Sequence, residues 1–261
     1  MVNGYNLNFN YSASSDDDFI ANSSAMARGI APLKTTADRL KYYRFYLTPH
    51  KTKVKTLISI CDMAGEFFDT SNTIGEQIGL KNVDAFIMLI DPLSISKYRE
   101  LQVGRINLMD YGASEQSIDE VMSTLISTLE NLSCTTARDV IEADIAVVFT
   151  KCDIPGLDNI IGLSAVHKYQ QEHGNKSFYS ATNAVCEKFL IDYEEQNFLN
   201  NLKSKFKSVQ FFTCSSLGHV VNGSKFTPNR VVEPLCWTID NACKSINLKE
   251  ILEEMIESNE R

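Results

Sequence analysis

Two stretches, Val83-Asp84-Ala85-Phe86-Ile87-Met88-Leu89-Ile90 and Asp144-Ile145-Ala146-Val147-Val148-Phe149, are apolar almost without alternation, and this limits what the chain can fold into. A strand with one wet face alternates apolar and polar side chains. A continuous apolar run needs burial on both faces, as in an inner strand of a parallel sheet covered by helices. A third run, Val209 to Cys214, and a fourth, Leu57 to Cys61, read the same way. Between the first two of these runs, Ile118, Val121, Met122, Leu125, Ile126 and Leu129 recur at helical spacing and predict a helix over 114–132 that covers one sheet face. The expected fold class is therefore α/β, a three-layer, mostly parallel sheet with helices on both faces. Residues 1–261 are expected to form a single domain, with 155–207 as a helical insertion whose clearest helices lie near 181–195 and 198–206.

Outside these runs the signals are more local. Residues 5–11, YNLNFNY, alternate as a half-exposed strand does, and Ser14-Ser15-Asp16-Asp17-Asp18 caps a helix predicted over 17–28. A strand is predicted over 40–48 and a closing amphipathic helix over 231–244, followed by an acidic helix over 247–258. The formal charge of −8 leaves no basic stripe for nucleic acid. No apolar run reaches the length of a membrane span, and MVNGYNLNFN lacks the charged and apolar regions of a signal peptide, so a cytoplasmic protein is the expectation. Seven cysteines without a Cys-x-x-Cys pair read as reduced core thiols.

The chemistry sits where the apolar runs stop. Three of them end, in order, in Asp62-Met63-Ala64-Gly65, Thr150-Lys151-Cys152-Asp153 and Ser215-Ser216-Leu217-Gly218. If the strands are parallel, these carboxyl ends share one edge of the sheet, where open α/β folds bind ligands. The Asp153 carboxylate can accept two hydrogen bonds from the ring nitrogen and exocyclic amine of guanine, a fit adenine does not offer. The aliphatic stem of Lys151 can lie over a base while its ammonium stays wet. The Ser215-Ser216 turn can present a backbone N–H to the guanine carbonyl. Asp62 is suited to organising Mg²⁺, and Gly65 allows a bare backbone N–H to approach a phosphate.

In this order the motifs resemble those of the P-loop GTPases of the Ras-like, translation-factor class. In detail, with a helix carrying Glu233-Pro234-Leu235-Cys236-Trp237 closing the domain, the sequence is similar to the bacterial double-GTPase family. The resemblance implies GTP or GDP as ligand and Mg²⁺ as cofactor. It implies Asp62 and Thr35 or Thr36 at the metal, Gly65 at the terminal phosphate, and Glu66 where the family places a water-orienting glutamine. Thr150, Lys151, Asp153, Ser215 and Ser216 fall at the base, and a protein partner would engage the switch regions.

The departure from that pattern is as informative. Gly29, Lys34, Thr35 and Thr36 suggest Gly-x-x-x-x-Gly-Lys-Ser/Thr, but a residue and the second glycine are missing and a polar helix stands where a buried strand belongs. No other segment supplies the phosphate-binding loop. The family's strand, loop and helix before Tyr5 are expected either to be lost by truncation or to have degenerated. Weak or no hydrolysis follows, and whether the chain is an enzyme stays open. Direct pairing of the 57–61 strand with the 85–90 strand would favour degeneration, and a gap of roughly 9–10 Å truncation. The alternative is a pseudo-GTPase scaffold that binds no nucleotide. A Rossmann-like enzyme for another ligand lacks its Gly-x-Gly-x-x-Gly.

Overall fold

A computed structural model describes residues 7–11, 16–31, 41–49, 53–62, 83–114, 116–133, 139–174, 176–220, 224–244, 246, 248 and 251–253. Its elements are β1 (Leu7–Tyr11), α1 (Asp16–Ala27), β2 (Lys41–Pro49), β3 (Thr56–Asp62), β4 (Ala85–Ile90), α2 (Ser96–Gln102), α3 (Ile118–Ser133) and β5 (Ile141–Phe149). They continue with α4 (Leu163–Glu172), α5 (Phe178–Asp192), α6 (Gln196–Lys205), β6 (Phe206–Thr213) and α7 (Glu233–Ala242). The α/β class holds. The helices predicted at 17–28 and 114–132 stand at α1 and α3, and residues 155–207 carry α4, α5 and α6.

The strands form two sheets of three. β4, β5 and β6 are parallel in that order, with Ile87 opposite Ala146 and Ala146 opposite Gln210. β1, β2 and β3 are antiparallel, with Phe45 opposite Ile58 and Lys41 opposite Asp62. The 57–61 strand is therefore not an inner strand of a mostly parallel sheet. Two physical reasons explain the difference. Only residues 50–55 connect β2 to β3, too few for the crossover that a parallel pair requires. The segment also alternates, with Leu57 and Ser59 exposed and Ile58 and Ile60 partly covered, as a strand with one wet face does. Among the described residues β3 does not pair with β4.

Parallel β5 splits its side chains between two cores. Ile145, Val147 and Phe149 join Met122, Phe189, Leu202 and Phe211 in the larger core, which α3, α5 and α6 close. Its aromatic centre packs Phe149 edge-on against Phe189 at 5.4 Å. Ala146 and Val148, on the other face, meet Phe212, Cys214 and Trp237. Trp237 belongs to α7, so helices cover both faces of the parallel sheet. α7 also reaches the antiparallel sheet: Cys236 and Ile239 pack in one cluster with Leu47 of β2 and Ile58 of β3. The six cysteines among the described residues form no disulfide, and Cys186, Cys214 and Cys236 are buried. No helix among those residues is long and apolar enough to cross a membrane.

Candidate functional site

The parallel register makes the carboxyl ends of β4, β5 and β6 adjacent, and short backbone bonds tie the loops that leave them. Thr150 N–H and its hydroxyl both donate to the Ile90 carbonyl, at 2.8 and 3.1 Å. Cys214 N–H donates to the Phe149 carbonyl at 2.8 Å, and Cys152 N–H to the Cys214 carbonyl at 3.1 Å. Thr150 is thus a structural tie between two strand ends.

Asp153 and Ser215 meet directly. The Ser215 hydroxyl donates to Asp153 Oδ1 at 2.5 Å, and its oxygen accepts the Gly218 N–H at 2.7 Å. Asp153 Oδ2 accepts from none of the described residues. Ser215 and Asn229 exchange backbone bonds of 3.0 and 2.8 Å, closing the loop between them. Gly218 sits at φ 80°, and a Cβ there would fall 2.2 Å from the Thr227 carbonyl oxygen. Only glycine permits that approach.

These residues border a pocket of about 520 Å³ whose lining includes Asp153, Asp158, Ser215, Gly218, Asn229 and Arg230. Asp158 accepts the Ser164 hydroxyl, and Gly162 passes so close that a Cβ would lie 2.1 Å from Asp158 Oδ1. Beneath the rim, Arg230 and Glu233 form an almost fully buried ion pair with three contacts of 2.9 to 3.2 Å. Arg230 also donates to Thr213 Oγ1 at 2.8 Å and stacks 4.9 Å over the Phe178 ring. The pocket therefore combines an acidic acceptor, a small-residue turn and an internally neutralised cation. Such a site suits a neutral ligand edge with N–H donors better than a free anion.

Lys151 behaves differently from the expectation. Its backbone is left-handed, φ 55°, and the side chain turns toward β4, where the ammonium lies 2.7 Å from Asp91 Oδ2 and donates to the Gly112 carbonyl at 3.0 Å. Lys151 does not line the pocket. Asp91 also accepts the Leu93 N–H at Oδ1 and the Ser114 N–H at Oδ2, so it binds the loop after β4 to the loop after β5. On that side the Tyr111 hydroxyl is pushed above its usual range by burial, and further by the nearby Asp153 and Asp110 charges. Burial pushes the Cys152 and Cys214 thiols up to about 12.

The turn differs from expectation in which N–H it can offer. Ser215 N–H is held by Asn229 and Gly218 N–H by the Ser215 hydroxyl, while no backbone bond from the Ser216 or Leu217 amide is made to the described residues. The Ser216 side chain is exposed and lies outside the pocket lining. Next to Gly218, His219 places Nδ1 2.7 Å from the Val220 carbonyl and Nε2 3.1 Å from that of Lys225. Two acceptors favour the doubly protonated ring, so its pKa is raised, first by Val220.

Asp62 ends β3, in the antiparallel sheet, and does not line the pocket. The expected sharing of one parallel edge by Asp62, Asp153 and Ser215 thus reduces to Asp153 and Ser215. Gly65, Glu66, Thr35 and Thr36 lie outside the described residues. Among the described residues no three His, Cys, Asp or Glu side chains converge on a metal position. Asp91, Asp158, Arg230 and Glu233 were missed from the sequence. Only Asp91, at the stop of an apolar run, carried a signal comparable to that of Asp153. No protein-family model, curated protein or solved structure matches the chain.

Proposed function

We propose that the chain is a guanine-nucleotide-binding, GTPase-like domain that holds the base of GTP or GDP in the Asp153–Ser215 pocket and hydrolyses GTP poorly or not at all. One observation carries this reading. Asp153 and Ser215, at the ends of two neighbouring parallel strands, are hydrogen-bonded to one another on the wall of one pocket. Ser215 fixes the carboxylate through Oδ1, so Oδ2 is oriented to accept from the N–H groups of guanine. The Ser216 and Leu217 amides are candidates for the guanine carbonyl. The parallel trio with helices on both faces supports the same fold family.

Poor hydrolysis follows from the sequence, which contains no Gly-x-x-x-x-Gly-Lys-Ser/Thr to cradle phosphates. Asp62 remains the proposed Mg²⁺-associated carboxylate, with Thr35 or Thr36, and Gly65 and Glu66 the proposed γ-phosphate and water positions. No catalytic step is derived through them.

Calorimetric titration and thermal unfolding with GDP, IDP and ADP test the base reading. GDP should bind and raise the melting temperature, IDP, which lacks the exocyclic amine, should do less, and ADP should do nothing. Asp153→Ala removes a charged acceptor worth about 1.5–3 kcal/mol, so affinity for GDP should fall roughly ten- to hundredfold. Equal responses to GDP and ADP would sink the proposal. A second reading, a scaffold that binds no nucleotide, is favoured by Lys151, whose ammonium is engaged by Asp91 and Gly112 away from the pocket. No response to any of the three nucleotides supports it.

A further inference from the structure

The wall of the Asp153–Ser215 pocket holds two carboxylates, Asp153 and Asp158, and its single cation among the described residues is Arg230. Arg230 directs Nε and Nη2 to Glu233 and Nη1 to Thr213 Oγ1, and both side chains of the ion pair are 4% exposed. The pair adds no net charge to the wall. Lys151, the cation expected over the base, is held outside by Asp91 and the Gly112 carbonyl. His219, beside Gly218, turns its two ring nitrogens to the Val220 and Lys225 carbonyls and also lies outside the lining.

One feature of the wall would ordinarily attract an anion. The N-terminus of α4 reaches the pocket at Gly162 and Leu163, and its N-cap, Gly162, offers no side chain. Asp158 already covers that end: its Oδ2 accepts the Ser164 hydroxyl, and its Oδ1 lies over Gly162, 2.1 Å from where a Cβ would stand. A carboxylate of the chain thus takes the place a phosphate would seek. We infer that the pocket takes its guanine ligand without phosphates, so that an uncharged guanine nucleoside is preferred and each added phosphate weakens binding. At about 520 Å³ the pocket is of the size that buries a whole small ligand, base and ribose together. Ribose hydroxyls can donate to an acceptor-rich wall, whereas phosphates meet repulsion from it and from a chain of formal charge −8. The inference rests on the base reading of this pocket and not on Asp62, which lies outside the lining.

The test is calorimetric titration of the full chain with guanosine, GMP, GDP and adenosine, each with and without Mg²⁺. Guanosine should bind, adenosine should not, and each added phosphate should weaken binding about threefold at about 0.05 M salt. Raising the salt to about 0.5 M should tighten GDP binding and leave guanosine unchanged, the reverse of what a phosphate held by cations shows. Asp158→Asn, which keeps an acceptor for the Ser164 hydroxyl, should narrow the gap between guanosine and GDP about twofold. Thermal unfolding verifies that the variant folds. GMP or GDP binding as tightly as guanosine, with or without Mg²⁺, overturns the inference and leaves the base reading standing. So does a gap that neither salt nor Asp158→Asn changes. Equal affinities for guanosine and adenosine, or no binding of either guanosine or GDP, overturn the base reading and the inference with it.

Discussion

Removing Glu233 alone should destabilise the protein far more than removing any surface ion-pair partner. Both members of the Arg230–Glu233 pair are only 4% exposed, and Glu233 contributes three contacts to the guanidinium. Glu233→Ala leaves a cation in a desolvated setting with Thr213 Oγ1 and the Phe178 ring as its remaining partners. Breaking one half of such a pair costs about 3–5 kcal/mol. Removing both charges together with matched apolar volume, Arg230→Met with Glu233→Leu, should cost far less, because no unpaired charge remains. Glu142→Ala, which breaks an exposed pair with Lys207, is the control, at about 0–1 kcal/mol. Equilibrium urea unfolding followed by Trp237 fluorescence, with far-UV circular dichroism as a second probe, measures all three. A cost for Glu233→Ala below about 1 kcal/mol would refute the burial argument. The pocket should respond as well, since Arg230 directly follows Asn229, whose backbone closes the Ser215 loop.

Three further outcomes are expected. Asp91→Ala strands the N–H groups of Leu93 and Ser114 and the Lys151 ammonium, and at about 1 kcal/mol for each bond should cost roughly 2–4 kcal/mol in urea unfolding; an unchanged midpoint would show that water replaces all three. Gly218→Ala should destabilise more than Gly104→Ala: both glycines have positive φ, but only at Gly218 would the added Cβ strike the Thr227 carbonyl, and equal effects would discount the close approach. Stability should fall on the alkaline side, because Cys152, Cys214 and Cys236 are raised from 9.0 to about 12 by burial. Below pH 9 both states keep the proton and nothing is lost. Above it the unfolded thiols ionise and the folded ones do not, removing up to about 1.4 kcal/mol per pH unit for each thiol. Cys236→Ala should flatten the decline in urea midpoint from pH 8 to 10.5 under reducing conditions, and an unaltered slope would contradict the linkage.

How far the sequence could be read depended on how local each signal was. β4 and β5 were legible because continuous apolarity has few meanings, and Asp153 and Ser215 because they sit where such runs stop. The pairing of β3 was misread, since Leu57-Ile58-Ser59-Ile60-Cys61 is short enough to pass for a buried strand while its alternation is carried by one serine. The destination of Lys151 could not be read at all. Its stem is flexible, and the choice of Asp91 and Gly112 over the pocket depends on a left-handed backbone and on a loop forty residues upstream in sequence. Arg230, three residues before α7, and Glu233, its first residue, look like an ordinary exposed pair until Phe178 and Thr213 close over the guanidinium.

By itself the sequence determined the α/β class, the inner place of β5, and the carboxylate and serine at neighbouring strand ends; β4, equally apolar and read as inner, is an edge strand among the described residues. Each of these follows from side-chain periodicity and from where it breaks, which are properties of a chain read one segment at a time. Only the tertiary structure decided that the strands divide into two sheets and that Ser215 grips Asp153. It alone turned Lys151 away from the pocket and left Ile87 and Leu89 uncovered beside α7. Those outcomes depend on which distant segments pack together, and hydrogen-bond partners and burial exist only once they have.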